Sequence, residues 1–151
     1  EREAPPGPLR RPYRLLGLGR ESPPDGRTQG TMENIEKGIE LFNQGRYWDA
    51  HAAWEKEWLS AGEPGEKEFI RGMIMAAGAL HHFQKKEFPG TAKLLAKSIE
   101  ALELFKEART VINTDDFLRQ LLAFEEKFTR CRECIAEGDF PSIIMKVLPR
   151  V

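Results

Sequence analysis

The residue types best suited to chemistry lie within one short aromatic stretch, residues 41–58. His51, Trp54, Glu55 and Trp58 follow one another at i, i+3, i+4 and i+7, which places them on one face of a predicted helix. A histidine and a glutamate four residues apart can share a ligand such as a metal ion. Because a helix face with two tryptophans is normally buried, we expect His51 and Glu55 to be drawn partly inward.

Polar partners for this face are supplied by the next predicted helix, the most apolar one of the chain. Its nearest polar side chains are Arg71 and His81, so the sequence predicts a buried or half-buried cluster of His51, Glu55, Arg71 and His81 between the second and third helices. The cluster has two possible uses. It can fix the register of the two helices, or it can bind a metal or a small anion, with His82 as an alternative ligand to His81. The structural use is the commoner one for polar clusters that are not part of a recognised functional motif.

The same stretch is rich in aromatic side chains, which suggests a second kind of site. We expect an aromatic groove around the second and third helices, with these residues as candidates: Tyr47, Trp48, Trp54 and Trp58. A groove of this kind suits a protein or small-molecule partner, or a second copy of the chain.

Other chemistries lack support in the sequence. The pair Cys131 and Cys134 forms a lone CxxC late in a predicted helix, whereas a structural zinc site needs a second pair and a redox motif sits at a helix N-terminus. Neither a Gly-x-Ser-x-Gly elbow nor a Gly-rich phosphate loop is found. We therefore predict that the protein binds no cofactor, and we assign no metal site.

Composition limits the class of protein further. The formal net charge of −1 argues against a general nucleic-acid binder. The longest apolar stretch, residues 69–83, is too short for a membrane span, so no membrane partner is expected. Two cysteines do not make a disulfide framework, which favours a reducing compartment and a cytoplasmic protein.

Residues 1–31 differ from the rest of the chain. They hold six of the ten prolines and six arginines with no lysine, and they lack periodic apolar residues. We expect them to be a disordered leader, a tag or a mis-assigned start, followed by a single helical domain over residues 32–151.

Hydrophobic periodicity and helix-breaking residues predict an all-α fold, a compact bundle of five to six helices built from antiparallel helical hairpins. Gly45 ends the first helix, and Phe117, Leu121, Phe124 and Phe128 begin a long apolar seam in the fifth. The predicted helices cover residues 32–43, 47–61, 66–86, 89–108 and from 114 to about 137, and residues 141–148 form a short sixth helix or an extended tail.

Two resemblances accompany this pattern. Residues 41–58 resemble the first hairpin of a tetratricopeptide repeat. Residues 39–102 are similar to the domain-of-unknown-function family 309, a family of small all-α proteins of unestablished function. The motifs that carry this second resemblance are Phe42-Asn43-x-Gly45-x-Tyr47-Trp48-x-x-His51-x-x-Trp54-Glu55-x-x-Trp58, Phe69-Ile70-x-Gly72-x-Ile74, Ala76-Ala77-x-Ala79-Leu80-His81-His82 and Gly90-x-Ala92-x-x-Leu95. Ala52, Arg71 and Met75 depart from the family's polar residues Glu, Gln and Gln, so the resemblance implies a reduced polar site here.

Two classes of function follow from these observations. The sequence favours a small binding or scaffolding module, because the polar groups that catalysis needs are sparse. The alternative is an enzyme, possibly a metal-dependent hydrolase, that uses His51 and Glu55.

Overall fold

The computed structural model describes residues 27–108, 110–130 and 143–148, with side chains from Glu33 onward. Consecutive helices pack on one another, which confirms the predicted all-α bundle. The described helices are α1 (Arg27–Asn43), α2 (Tyr47–Ser60), α3 (Pro64–Gln84), α4 (Phe88–Glu103) and α5 (Thr114–Arg130). None of them is long and apolar enough to cross a membrane.

Helix α3 lies at the centre of the bundle, as its apolar sequence predicts. Most of its side chains are buried, and its small residues let α4 approach closely. A Cβ atom built on Gly72 would lie 2.8 Å from a methyl carbon of Leu102 in α4. A side chain at position 72 would therefore force Leu102 to shift at the contact between α3 and α4.

Two of the described helix boundaries differ from the sequence prediction by five residues, whereas the other differences there are of one or two residues. Helix α1 begins at Arg27 rather than at residue 32. No proline occurs between Pro24 and Pro64, so the backbone is free to become helical before residue 32. The expectation for the rest of the leader falls on residues 1–26, which lie outside the described part.

Helix α4 ends at Glu103, five residues before the predicted end at residue 108. Beyond it the backbone continues in tight turns, with the Phe105 N–H donating to the Leu102 carbonyl at 2.9 Å. These turns direct the Phe105 ring into the core against Phe69, with ring centroids 5.3 Å apart. Burying this ring explains why the regular helix stops where it does.

The predicted apolar seam of α5 is observed as far as the helix is described. Phe117, Leu121, Phe124 and Phe128 are all buried. Its predicted continuation through Cys131 lies outside the described residues. The described part of the chain resumes at residue 143, and residues 143–148 are extended rather than helical. Ile112 and Val147 form an antiparallel bridge.

Candidate functional site

The site is built on the turn between α1 and α2. Gly45 has φ +82°, the left-handed conformation that glycine adopts without a Cβ penalty. The Arg46 N–H donates to the Leu41 carbonyl at 2.9 Å, and the Gly45 N–H donates to the Phe42 carbonyl at 2.9 Å. These two bonds form a Schellman cap, which closes α1 and lets α2 begin at Tyr47.

Two of the four predicted groove residues belong to the core. The Trp54 side chain is fully buried, and its indole N–H donates to the Ile35 carbonyl at 3.1 Å. Tyr47 is also buried, with its ring 5.0 Å from that of Phe42, and burial raises the pKa of the Tyr47 hydroxyl to about 12. A partner at the surface can therefore meet only Trp48 and Trp58 of the predicted four.

Trp58 is half-buried and is covered by a lysine from the next helix. The Lys67 ammonium lies 3.9 Å from the centroid of the Trp58 ring, a cation–π geometry. The same ammonium donates to the Trp58 carbonyl at 2.8 Å, which satisfies a carbonyl at the end of α2. Lys67 thus covers one face of the Trp58 ring.

Trp48 is the exposed aromatic residue of this region, with 57% of its surface accessible. Its indole is stacked on the His51 imidazole, with ring centroids 5.0 Å apart and planes inclined by 11°. His81 of α3 lies 5.1 Å from the same indole at an inclination of 36°. We call Trp48, His51 and His81 the Trp48 stack. It joins α2 to α3 through ring contacts.

The polar atoms of His51 are only partly compensated. Nδ1 of His51 is buried and has no hydrogen-bond partner among the described residues. Its nearest carboxylate oxygen is Oε1 of Glu55 at 3.8 Å, beyond hydrogen-bond length, and the Glu55 side chain is 55% exposed. Glu55 is therefore a weakly coupled neighbour of the imidazole.

His81 and His82 have separate surroundings, as expected for adjacent residues of a helix. Burial lowers the pKa of His81, and the nearby Lys85 ammonium and His82 imidazole lower it further. His82 instead contacts the α3–α4 turn, where its Nδ1 lies 2.6 Å from a Glu87 oxygen and lowers the pKa of that carboxyl. The ring of His82 also packs on Gly90, where a Cβ atom would lie 3.0 Å from it.

Arg71 has a different partner from the one that the sequence suggests. Its guanidinium donates to Oε2 of Glu68 at 2.7 Å, one turn earlier on α3. Arg71 precedes His81 by ten residues on the same helix, a separation of about 15 Å along the axis. In the described part of the chain, no hydrogen bond or ion pair joins Arg71 to His51 or Glu55. The four-residue cluster remains a prediction. Glu55 lies 3.8 Å from Nδ1 of His51, and the rings of His51 and His81 both contact Trp48.

Some features of the region were not foreseen from the sequence. The central position of Trp48 between two imidazoles was missed, although its spacing of three residues from His51 is visible in the sequence. The buried Glu57, which accepts a hydrogen bond from the Asn34 side-chain amide, was also missed. Among the described residues, no group of three or more His, Cys, Asp or Glu side chains is arranged to hold a metal ion.

Comparison with known families supports the resemblance seen in the sequence. Residues 35–94 match the model of the family described as Domain of unknown function (DUF309), which confirms that prediction. The match contains α2 and α3 and all three members of the Trp48 stack. The family description assigns no function. No curated protein matches the chain.

Proposed function

We propose that this protein is a small helical binding module whose contact surface is the Trp48 stack. The partner we expect is a protein segment that presents an apolar side chain beside a carboxylate. The observation that carries the proposal is the exposure of Trp48, 57% of whose surface is accessible although its indole is stacked on His51. Tryptophans held in this way are frequent anchors in protein interfaces, because they offer a large apolar area at low entropic cost.

Two lysines at the end of α3 favour an acidic partner. Lys85 and Lys86 follow His81 at the end of α3 and are exposed. Neither lysine has a carboxylate within ion-pair distance among the described residues. The nearby carboxylate of Glu87 contacts His82 instead. A carboxylate brought to this rim would gain from both ammonium groups and would favour the protonated form of His81.

The unpaired Nδ1 of His51 bears on the choice between a structural and a binding use. A polar cluster kept for stability is normally satisfied, because a buried polar atom without a partner costs free energy. Within the described residues, His51 leaves such an atom without a hydrogen-bond partner at the base of an exposed ring. This arrangement supports a binding use of the stack, for which His51→Ala would weaken binding more than folding.

The experiment is a selection of displayed peptides on the immobilised full chain, followed by affinity measurements. We expect the enriched peptides to carry an apolar residue next to Asp or Glu. Trp48→Ala should weaken their binding at least about tenfold, as loss of an aromatic anchor does. Leu122→Ala, which truncates an exposed apolar side chain on α5, is the matched control and should leave the affinity unchanged.

Either of two results would overturn the proposal. One is that no peptide with this pattern is enriched. The other is that the enriched peptides bind Trp48→Ala as tightly as they bind the wild-type chain.

A further inference from the structure

An extended segment near the end of the chain lies in a groove formed by distant parts of the fold. We call residues 143–148 the tail segment, and we call the surface that holds it, formed by α1, α5 and residues 111–113, the tail groove. The side chains of Ile143 and Met145 point inward, with 3% and 1% of their surfaces exposed. The side chain of Lys146 is exposed to solvent. Over residues 143–146 this alternation is that of an extended peptide on a half-buried surface, whereas Val147 is exposed.

Two side-chain amides form hydrogen bonds with the backbone of the tail segment. The Asn43 amide nitrogen donates to the Met145 carbonyl at 3.0 Å, and its oxygen accepts from the Met145 N–H at 2.8 Å. Gln120 does the same for Ile144, with distances of 2.8 Å to the carbonyl and 2.9 Å from the N–H. Each amide thus satisfies both backbone groups of one residue, much as a neighbouring β-strand would.

The other end of the tail segment is held by main-chain bonds and by charge. The Asn113 N–H donates to the Lys146 carbonyl at 2.8 Å, and the Leu148 N–H donates to the Val111 carbonyl at 2.9 Å. The Lys146 ammonium lies 3.7 Å from Oδ1 of Asp116. The groove therefore holds an extended segment with two buried apolar side chains, the second of which is followed by a basic residue.

We infer that the tail groove is a peptide-binding site that accepts the tail segment of a second copy of this chain. Every contact described above is made by residues 143–148 with residues outside the segment, and a second copy carries the same six residues. A reciprocal exchange therefore conserves all these contacts and closes with two-fold symmetry. An empty groove would leave the amides of Asn43 and Gln120 without these partners and would expose apolar surface. Binding of a tail segment is therefore favoured over an empty groove.

The exchange is tested by mixing two full-length variants. The groove variant carries Asn43→Ala with Gln120→Ala and keeps an intact tail segment, whereas the tail variant carries Ile143→Ala with Met145→Ala and keeps an intact groove. The mixture contains an intact tail segment and an intact groove on different chains. In sedimentation experiments we expect the mixture to form a one-to-one dimer at least about tenfold more tightly than either variant alone self-associates. A mixture that sediments as two monomers, with both variants helical by circular dichroism, overturns the inference.

A second measurement covers the case in which a double variant fails to fold. A fluorescent peptide of residues 143–148 is added to the wild-type chain and to the single variant Met145→Ala. Weakening the chain's own tail segment frees the groove, so Met145→Ala should bind the peptide at least about tenfold more tightly than the wild type does. A peptide with Asp at both buried positions is the control and should not bind. Absence of binding to both chains overturns the inference, and equal binding to both does so as well.

Discussion

Gly38 in α1 lies directly against the indole of Trp54 in α2. A Cβ atom built on Gly38 would lie 2.1 Å from Nε1 of that ring. The ring has little freedom to move aside, because its N–H is bonded to the Ile35 carbonyl at 3.1 Å. Helices α1 and α2 thus reach their observed distance because residue 38 has no side chain.

Substitution of Gly38 is therefore expected to destabilise the fold. Gly38→Ala should lower the free energy of unfolding by about 1–3 kcal/mol, since overpacking outweighs the gain of roughly 1 kcal/mol in helix propensity. Gly62→Ala is the control, because no atom lies within 4 Å of a Cβ built there. Urea titration measures both. Equal losses for the two variants would contradict the proposed contact.

The turns after α1 and α3 provide a pair of changes with opposite expected signs. Lys86 has φ +61° and Gly45 has φ +82°, so both residues are in the left-handed region. Lys86→Gly should raise the free energy of unfolding by about 0.5–1 kcal/mol, because glycine lacks the Cβ strain. Gly45→Ala should lower it by about 1 kcal/mol for the same reason. Denaturant titration that gives the same sign for both would contradict this explanation.

Tyr47 makes stability depend on alkaline pH. Its folded pKa of about 12 lies above the ordinary value of 10.0, so between these values the folded state retains a proton that the unfolded state has lost. The free energy of unfolding should therefore fall as the pH rises from 10 towards 12, by up to roughly 3 kcal/mol. The quantity to measure is the difference between the wild type and Tyr47→Phe, which cancels the titration of lysines. A difference that does not change with pH would exclude this role.

His81 contributes a dependence of the opposite sense at acidic pH. Its folded pKa is below the ordinary value of 6.5, because burial, Lys85 and His82 disfavour the imidazolium, while Glu87 opposes them. The unfolded state then binds more protons below pH 6.5, so the free energy of unfolding should fall as the pH decreases through that window. An NMR titration of the His81 ring should give a midpoint lower than 6.5. A midpoint at or above 6.5 would show that the ring is not desolvated.

Hydrophobic periodicity was sufficient to predict the fold class and most helices. The apolar seam of α5 and the all-round apolar character of α3 favour burial in a helical bundle. Boundaries were harder to predict, because the end of α4 depends on burying Phe105 against Phe69, a contact between residues 36 positions apart. Such long-range packing leaves no local signal in the sequence.

The sequence predicted which residue types form the candidate site, but it did not predict which side chains contact one another. The shared helical face correctly indicated that Trp54 would be buried, but spacing alone did not show that Trp48 would stack on His51. The partner of Arg71 was also open, since Glu68 one turn away competes with residues on α2. Pairings of this kind depend on the rotation of α2 against α3, which spacing within one helix does not determine.

The central claim is that Trp48 is the contact residue, and an NMR titration tests it most directly. The ¹⁵N-labelled full chain is titrated with the tightest-binding peptide from the selection while the indole N–H signals are followed. We expect the Trp48 signal to move with peptide concentration and the Trp54 signal to stay fixed, because Trp54 is buried and bonded to Ile35. Saturable binding that leaves the Trp48 signal unchanged would contradict the claim.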